Sequence, residues 1–239
     1  MNIIIACQTL RDEVEKALQE TGINYPVIWI DSGLHNYPDK LRTKLQEQID
    51  RISNVENIIL VFGYCGNALS GIYAKTAKLI LPQVDDCISL LLGSVARRLE
   101  LTEETKAYFL TRGWVIYENN ILKEYQRCLE KYGQEKAKRI FKSMLVYYKK
   151  LMVLDTSAYP LEEVLEKAQE FADNVGLEQQ VVSGTLEYLK KLLTGPWDED
   201  FVVLPPGQVL SLEEFGMVNF NKIQNSGIGP SFVFSNRNP

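Results

Sequence analysis

The chain contains one histidine. No His-rich stretch and no site built on two imidazoles can therefore form, which removes most zinc-hydrolase ligand sets. Four cysteines in 239 residues are too few for a disulfide scaffold. None of the four stands in a C-x-x-C pair, so zinc fingers, ribbons and thioredoxin-like motifs are excluded. No long basic run exists. Lys149–Lys150 and Lys190–Lys191 are isolated pairs, and the net charge is −5. A nucleic-acid track needs clustered cations, so no nucleic-acid partner is expected. No apolar stretch reaches the ~18 residues that a membrane-spanning helix requires. The start, MNIIIACQTLRDE, lacks the basic region of a secretory signal and runs directly into a strand and an acidic helix. A reducing cytoplasm is the expected setting, with thiols free or on metal.

What is present is ordinary globular composition, 46% hydrophobic and 24% charged. Short, wholly apolar runs alternate with helical patterns. The predicted strands are Asn2–Ala6, Val27–Ile30, Ile58–Phe62 and Lys78–Leu81. Continuous apolar strands are those buried on both faces, and their alternation with helices predicts an α/β fold with an open, mostly parallel sheet and flanking helices. Thr9 is expected to cap the first helix, which Gly22 ends. A fifth strand is expected in AYFLT and a sixth in LMVLD. Between them, residues 116–148 read as a two-helix insertion broken near Gly133, suited to a lid or a dimer contact. Leu161–Asn174 and Gly184–Leu193 are further helices, and FVVL before Pro205-Pro206 is a last short strand. Residues 1–215 are expected to form a single domain. Residues 216–239, polar and rich in Asn, Gly and Ser, are expected to be a poorly ordered tail.

The residues that follow the first four strands carry the chemistry. They are Cys7, His35, Cys65 and Cys87, one per strand. Ligands of open α/β sheets sit beyond the carboxyl ends of the strands. One imidazole and three thiols could therefore meet in one crevice, and that donor set suits zinc or an iron–sulfur cluster. Cys65, Cys87 and His35 are the first choice of ligands, with Cys7 as the fourth or as a reactive thiol beside the metal. Each of these residues also has a plain reading, because free cysteine often packs as a small apolar side chain. Cys65 and Cys87 are expected near helix starts, where the dipole favours a thiolate. Asp85 and Asp86 suit helix caps, and Asp86 could instead bind the ligand or accept a hydrogen bond from His35. After the fifth strand, Arg112 could hold an anionic group and Trp114 could stack on a planar one. The glycines of Gly63-Tyr64-Cys65-Gly66 fit neither G-x-G-x-x-G nor a P-loop. Cys128, mid-helix in the insertion, reads as structural.

Several of these elements occur together in one order. Ala6-Cys7 is followed by His35 with Pro38, then Gly63-Tyr64-Cys65-Gly66. Pro82, Asp85-Asp86-Cys87-Ile88, Leu91-Leu92-Gly93-Ser94 and Arg112-Gly113-Trp114 come next. Gly195-Pro196-Trp197 and Pro206-Gly207 lie near the end. This set resembles the domain of unknown function 1638 family of bacteria and archaea, over Ile3 to about Phe215. The resemblance implies a setting among anaerobes that use corrinoid methyltransferases, with a corrinoid or a methyltransferase protein as partner. It assigns no role to any residue.

Two functional classes follow. One is a zinc-dependent enzyme acting on a small molecule and linked to corrinoid methyl transfer. The other is a non-catalytic protein that holds a metal, a cluster or a small anion for a methyltransferase system. Beside these two classes stands a lesser reading, a thiol enzyme without metal, with Cys65 as nucleophile and His35 as base.

Overall fold

A computed structural model describes residues 1–65, 67–117 and 120–211; the stretch expected to be a tail lies outside the described residues. The first four strands are β1 (Asn2–Cys7), β2 (Val27–Ile30), β3 (Asn57–Val61) and β4 (Lys78–Pro82). Then come β5 (Ala107–Leu110), β6 (Lys150–Asp155), β7 (Glu178–Ser183) and β8 (Phe201–Leu204). They form two sheets rather than one. The first has the order β2-β1-β3-β4-β8, and the second has the order β5-β6-β7. The pairs β2-β1, β1-β3 and β3-β4 are parallel, and β8 runs antiparallel along the free edge of β4. An open β4 edge would offer unpaired backbone groups to any other strand, and β8 covers it.

The expectation that the fifth and sixth strands join the first sheet is corrected here. They pair in parallel with each other and with β7, which the polar sequence Glu178-Gln179-Gln180 disguises as loop. β7 is an edge strand, largely exposed, so it lacks the apolar signature of a buried one.

Both sheets use the two-residue period of a strand to feed two cores. Ile4 and Ala6 of β1 face one core, while Ile5 and Cys7 face another. Met152 and Leu154 of β6 join Ile4 and Ala6, while Leu151 and Val153 face away. The shared middle core holds α1 (Arg11–Thr21), α3 (Cys87–Leu92) and α9, a helix over Glu187–Thr194. Leu10, Val14 and Ala17 meet Leu90, Leu91, Leu189, Leu192 and Leu193 there. Outside the first sheet lies α2 (Pro38–Asp50), with Leu41, Leu45 and Ile49 inward. Outside the second sheet lie α6 (Ile121–Tyr132), α7 (Gln134–Met144) and α8 (Glu162–Val175). The layers therefore run helix, sheet, helices, sheet, helices. Each fully buried Leu or Ile in them is worth about 2 kcal/mol of transfer energy, so the shared middle layer welds the sheets together.

The helices α6 and α7 form the insertion. Tyr125 of α6 and Phe141 of α7 pack edge-to-face at 5.1 Å, and Tyr125 meets Phe171 of α8 at 5.6 Å. Their apolar faces are spent on covering the second sheet. Cys128 packs at the margin of the same core.

Two remaining helices complete the fold, α4 (Val95–Thr105) and α5 (Arg112–Ile116). Thr9 does not cap α1. A short 3₁₀ turn, Gln8–Leu10, comes first, and the Thr9 hydroxyl instead meets the Cys7 sulfur at 3.0 Å. Among the described residues no helix lies between β3 and β4, and Cys65 stands in a turn rather than at a helix start.

The fold makes one demand that substitution can test. A Cβ on Gly113 would lie 1.9 Å from the Thr9 carbonyl oxygen, so α5 sits on the turn after β1 with no room for a side chain. Gly113→Ala is expected to lower stability by about 3 kcal/mol, read from the midpoint of a urea melt at unchanged slope.

Candidate functional site

The candidate site lies at the carboxyl ends of β2, β1, β3 and β4. Cys7 is the last residue of β1, Cys65 follows β3, and Cys87 opens α3 after β4. His35 lies in the 3₁₀ turn Ser32–Asn36 after β2. These four residues thus follow four neighbouring parallel strands.

The loops after β3 and β4 are stitched together by their backbones. Tyr64 N–H donates to the Val84 carbonyl at 2.9 Å, and Cys65 N–H donates to the Asp85 carbonyl at 3.0 Å. A Cβ on Gly63 would fall 2.4–2.7 Å from backbone atoms of Asp86, so only glycine allows this approach. Cys65 then adopts φ 48°, a left-handed conformation uncommon for a residue with a side chain. Held strain of this kind concentrates at sites that position a group.

The three thiols form one electrostatic cluster. Burial pushes the Cys65 thiol up, and nearby Cys7, Asp86 and Asp85 push it further. Burial likewise raises Cys87 well above an ordinary thiol, with Asp86, Cys65, Cys7 and Glu13 adding to it. Cys7 is raised by burial, against the pull of the Thr9 hydroxyl. A dipole-favoured thiolate was the sequence expectation for Cys65 and Cys87. Burial among like charges overrides it. All three thiols are free of disulfides. Among the described residues, no three His, Cys, Asp or Glu side chains stand gathered as a ready-made metal cage.

His35 stands against Trp114, with ring centroids 4.6 Å apart. Its Nδ1 meets the Ser32 carbonyl, which can only accept, so Nδ1 carries the proton and Nε2 keeps the lone pair. Burial holds the imidazole below its ordinary value, so it is neutral at pH 7. Asp31 lies within electrostatic reach of both His35 and Cys7.

Asp86 does not orient His35. Its carboxylate caps α3 by accepting from Ser89 N–H at 2.9 Å, and it pairs with Arg98 at 3.1 Å. Arg98, buried in α4, also lies 3.7 Å from Asp85, which accepts from the Ser89 hydroxyl. Burial and the adjacent Asp86 push the Asp85 carboxyl up, against the pull of Arg98. Arg112 is likewise committed: it bonds both oxygens of Asp12 at 3.0 and 3.1 Å and Glu163 at 2.8 Å. That geometry ties α1 to α8. Trp114 is half-buried, and its indole N–H has no hydrogen-bond partner.

Sequence reading passed over Glu13. This carboxyl is 0% exposed, in the first turn of α1. One oxygen accepts from the Thr156 hydroxyl at 3.2 Å, and the other, Oε2, has no hydrogen-bond partner. Burial, followed by the charge of Asp12, pushes its pKa up to about 7 from an ordinary 4.5. The signal was there: Glu13 shares a helix face with Leu10 and Ala17, three residues before and four after.

Two outcomes follow. Folding favours the protonated form of Glu13, so its stabilising contribution is complete below about pH 4.5 and is lost as pH rises through 7. Glu13→Gln is expected to raise the metal-free melting temperature at pH 8 and leave it nearly unchanged at pH 4. The gain at pH 8 is on the order of 3 kcal/mol, from 1.36 kcal/mol per pKa unit. Arg112→Ala is expected to cost about 1 kcal/mol in a denaturant melt, because its partly exposed pairs tie two helices.

Among the described residues, no helix is long and apolar enough to cross a membrane. No curated protein and no solved structure matches the chain. A family model does: that for a protein of unknown function (DUF1638) matches residues 29–193, which hold His35, Cys65 and Cys87. The chain belongs to the DUF1638 family.

Proposed function

We propose that this chain is a thiol-site metalloprotein whose Cys7, Cys65 and Cys87 take up zinc in the crevice of the first sheet. The observation that carries the reading is that three soft donors follow three neighbouring parallel strands, with Cys7 raising the proton affinity of Cys65 and both raising that of Cys87. A divalent cation reverses that balance, because thiolates are the form that binds and metal uptake releases their protons. The same observation disfavours the metal-free thiol enzyme. A thiol held well above its ordinary value is a poor nucleophile at neutral pH. Three protein ligands leave a fourth position for a substrate or a further donor, the arrangement of catalytic zinc.

The reaction we attach to this site is methyl transfer linked to a corrinoid partner, in a reducing cytoplasm. Its support is the family resemblance. Zinc would supply Lewis-acid activation of a thiol or similar nucleophile. His35 and Trp114, packed together, form the wall that a small molecule would meet on the β2 side. The non-catalytic alternative, a holder of metal or cluster for a methyltransferase system, draws on a different observation. Arg112 is committed to two carboxylates, and α6 and α7 are spent on the second sheet, so neither is poised over the crevice.

Elemental analysis of protein purified without oxygen tests the metal. About one zinc per chain is expected. Cys7→Ser, Cys65→Ser and Cys87→Ser should each lose most of it, while Cys128→Ser keeps it. Iron in place of zinc would move the reading to a cluster. Equal metal in all four variants, or none in the parent, would end it.

A further inference from the structure

The two sheets meet at a buried carboxyl. Glu13 stands in the first turn of α1, 0% exposed, beside Val14 and Ala17 of the middle core. Its Oε1 accepts from the Thr156 hydroxyl at 3.2 Å, and Thr156 follows β6 of the second sheet. Its Oε2 has no hydrogen-bond partner. Close approaches lie at the residues around it. Gly113 of α5 sits on the Thr9 carbonyl, and a Cβ built on Gly184 would fall 2.9 Å from the Thr156 methyl carbon. The carboxyl therefore reaches water only when α1 and the loop after β6 part. The groups that face Glu13 do not compensate an anion there. Asp12, next to it on α1, repels one. Arg112 of α5 attracts one, but its guanidinium bonds Asp12 and Glu163 of α8. Cys87 of α3 and Tyr159 after β6 are uncharged and become weaker acids in its presence. Lys190 of α9 pairs with Glu20 and Glu187. A buried charge without a partner is strongly disfavoured, so the shut seam holds a proton that an open one gives up.

We propose that Glu13 is a proton-operated latch between the two sheets: protonated, it shuts the seam between α1 and the loop after β6, and its ionisation lets that seam open. Burial and Asp12 set the range, since they push its pKa up to about 7 from an ordinary 4.5. Below about pH 4.5 the open and shut forms are both protonated, and the seam is at its tightest. Between 4.5 and 7 the open form releases its proton to solvent while the shut form keeps it. Opening then becomes easier by up to about tenfold per pH unit. Above 7 both forms are ionised and the change levels off. Packed interfaces are shut or parted rather than stretched, so a single carboxyl can bias the whole contact. His35 and Trp114 face each other from the two sheets with ring centroids 4.6 Å apart, and they part with it. The latch uses no thiol and no metal, so it stands or falls apart from the metal reading.

The test follows amide hydrogen exchange of the full metal-free chain by mass spectrometry from about pH 5 to about pH 7.5, each rate divided by the intrinsic rate at that pH. In the parent, peptides covering α1, α5 and the end of β6 should lose about tenfold or more of their protection across this range, while α2 keeps its own. Glu13→Gln keeps the shape and the acceptor for Thr156 but cannot ionise, so its protection should stay flat with pH. Asp85→Asn removes another carboxyl that burial pushes up, to about 6, and should keep the parent's pH dependence. Thr156→Val removes a hydroxyl that favours the carboxylate, so its loss of protection should continue to higher pH. Flat protection in the parent, or the parent's pH dependence persisting in Glu13→Gln, would overturn the latch. So would a loss of equal size in α2, which would mark global unfolding rather than a seam that opens.

Discussion

Backbone pressed against backbone at the carboxyl ends of the strands is the constraint on which this structure depends. At Gly63 the loop after β3 lies on the backbone of Asp86, and at Gly113 the start of α5 lies on the Thr9 carbonyl. Gly184 lies less tightly against the Leu91 carbonyl, at 3.1 Å for a built Cβ. Each contact joins loops from different strands, and the last two join the two sheets. Main chain cannot swing aside as a side-chain tip can, so these approaches fix the loops in position. The thiols ride on those loops. Cys65 is two residues from Gly63, and Cys87 is one residue from Asp86. The positions of the sulfurs are thus set by main-chain packing and by hydrogen bonds such as Cys65 N–H to the Asp85 carbonyl, rather than by contacts of their own.

Electrostatics then gives the crevice its character. Three thiols, Asp85 and Asp86 are brought into a region where Arg98 is the buried cation that the two aspartates share. Arg98 pairs with the two aspartates and leaves the thiols without a cationic partner of their own. A buried ion pair of this kind contributes little net stability, because desolvation consumes most of the attraction. What it does is place negative charge beside Cys65 and Cys87 without placing it on them.

Much of the architecture was legible in the sequence because the buried strands are wholly apolar. The runs at Ile3–Ile5, Ile58–Val61 and Leu79–Leu81 admit hardly another reading. The helices of residues 121–132 and 134–144 also show, through their apolar stripes and the break at Gly133. What the sequence concealed was the partition into two sheets. Apolar strands look alike whichever sheet they enter, and strand order depends on which helices share the middle layer. β7 was hidden because it is an exposed edge strand of polar residues. At the site, the sequence placed Cys7, His35, Cys65 and Cys87 after four strands. It did not show that Asp86 caps α3 and pairs with Arg98, since cap and ligand are the same residue type. Nor did position reveal that burial outweighs the helix dipole at Cys87. Glu13 was legible as a charge on an apolar helix face.

The first sheet holds the first strand of the described residues and also the last. Leu79 of β4 pairs with Leu204 of β8, and the whole second sheet is made in the interval. During synthesis every thiol-bearing strand of the first sheet therefore exists before its edge is closed. In that interval β4 is an unpaired edge, the kind of surface that partners of the wrong kind find first. The chain thus has a built-in order of assembly. The crevice is lined early and walled by the second sheet next, and the edge of the sheet is sealed last, by four residues from the far end of the described chain.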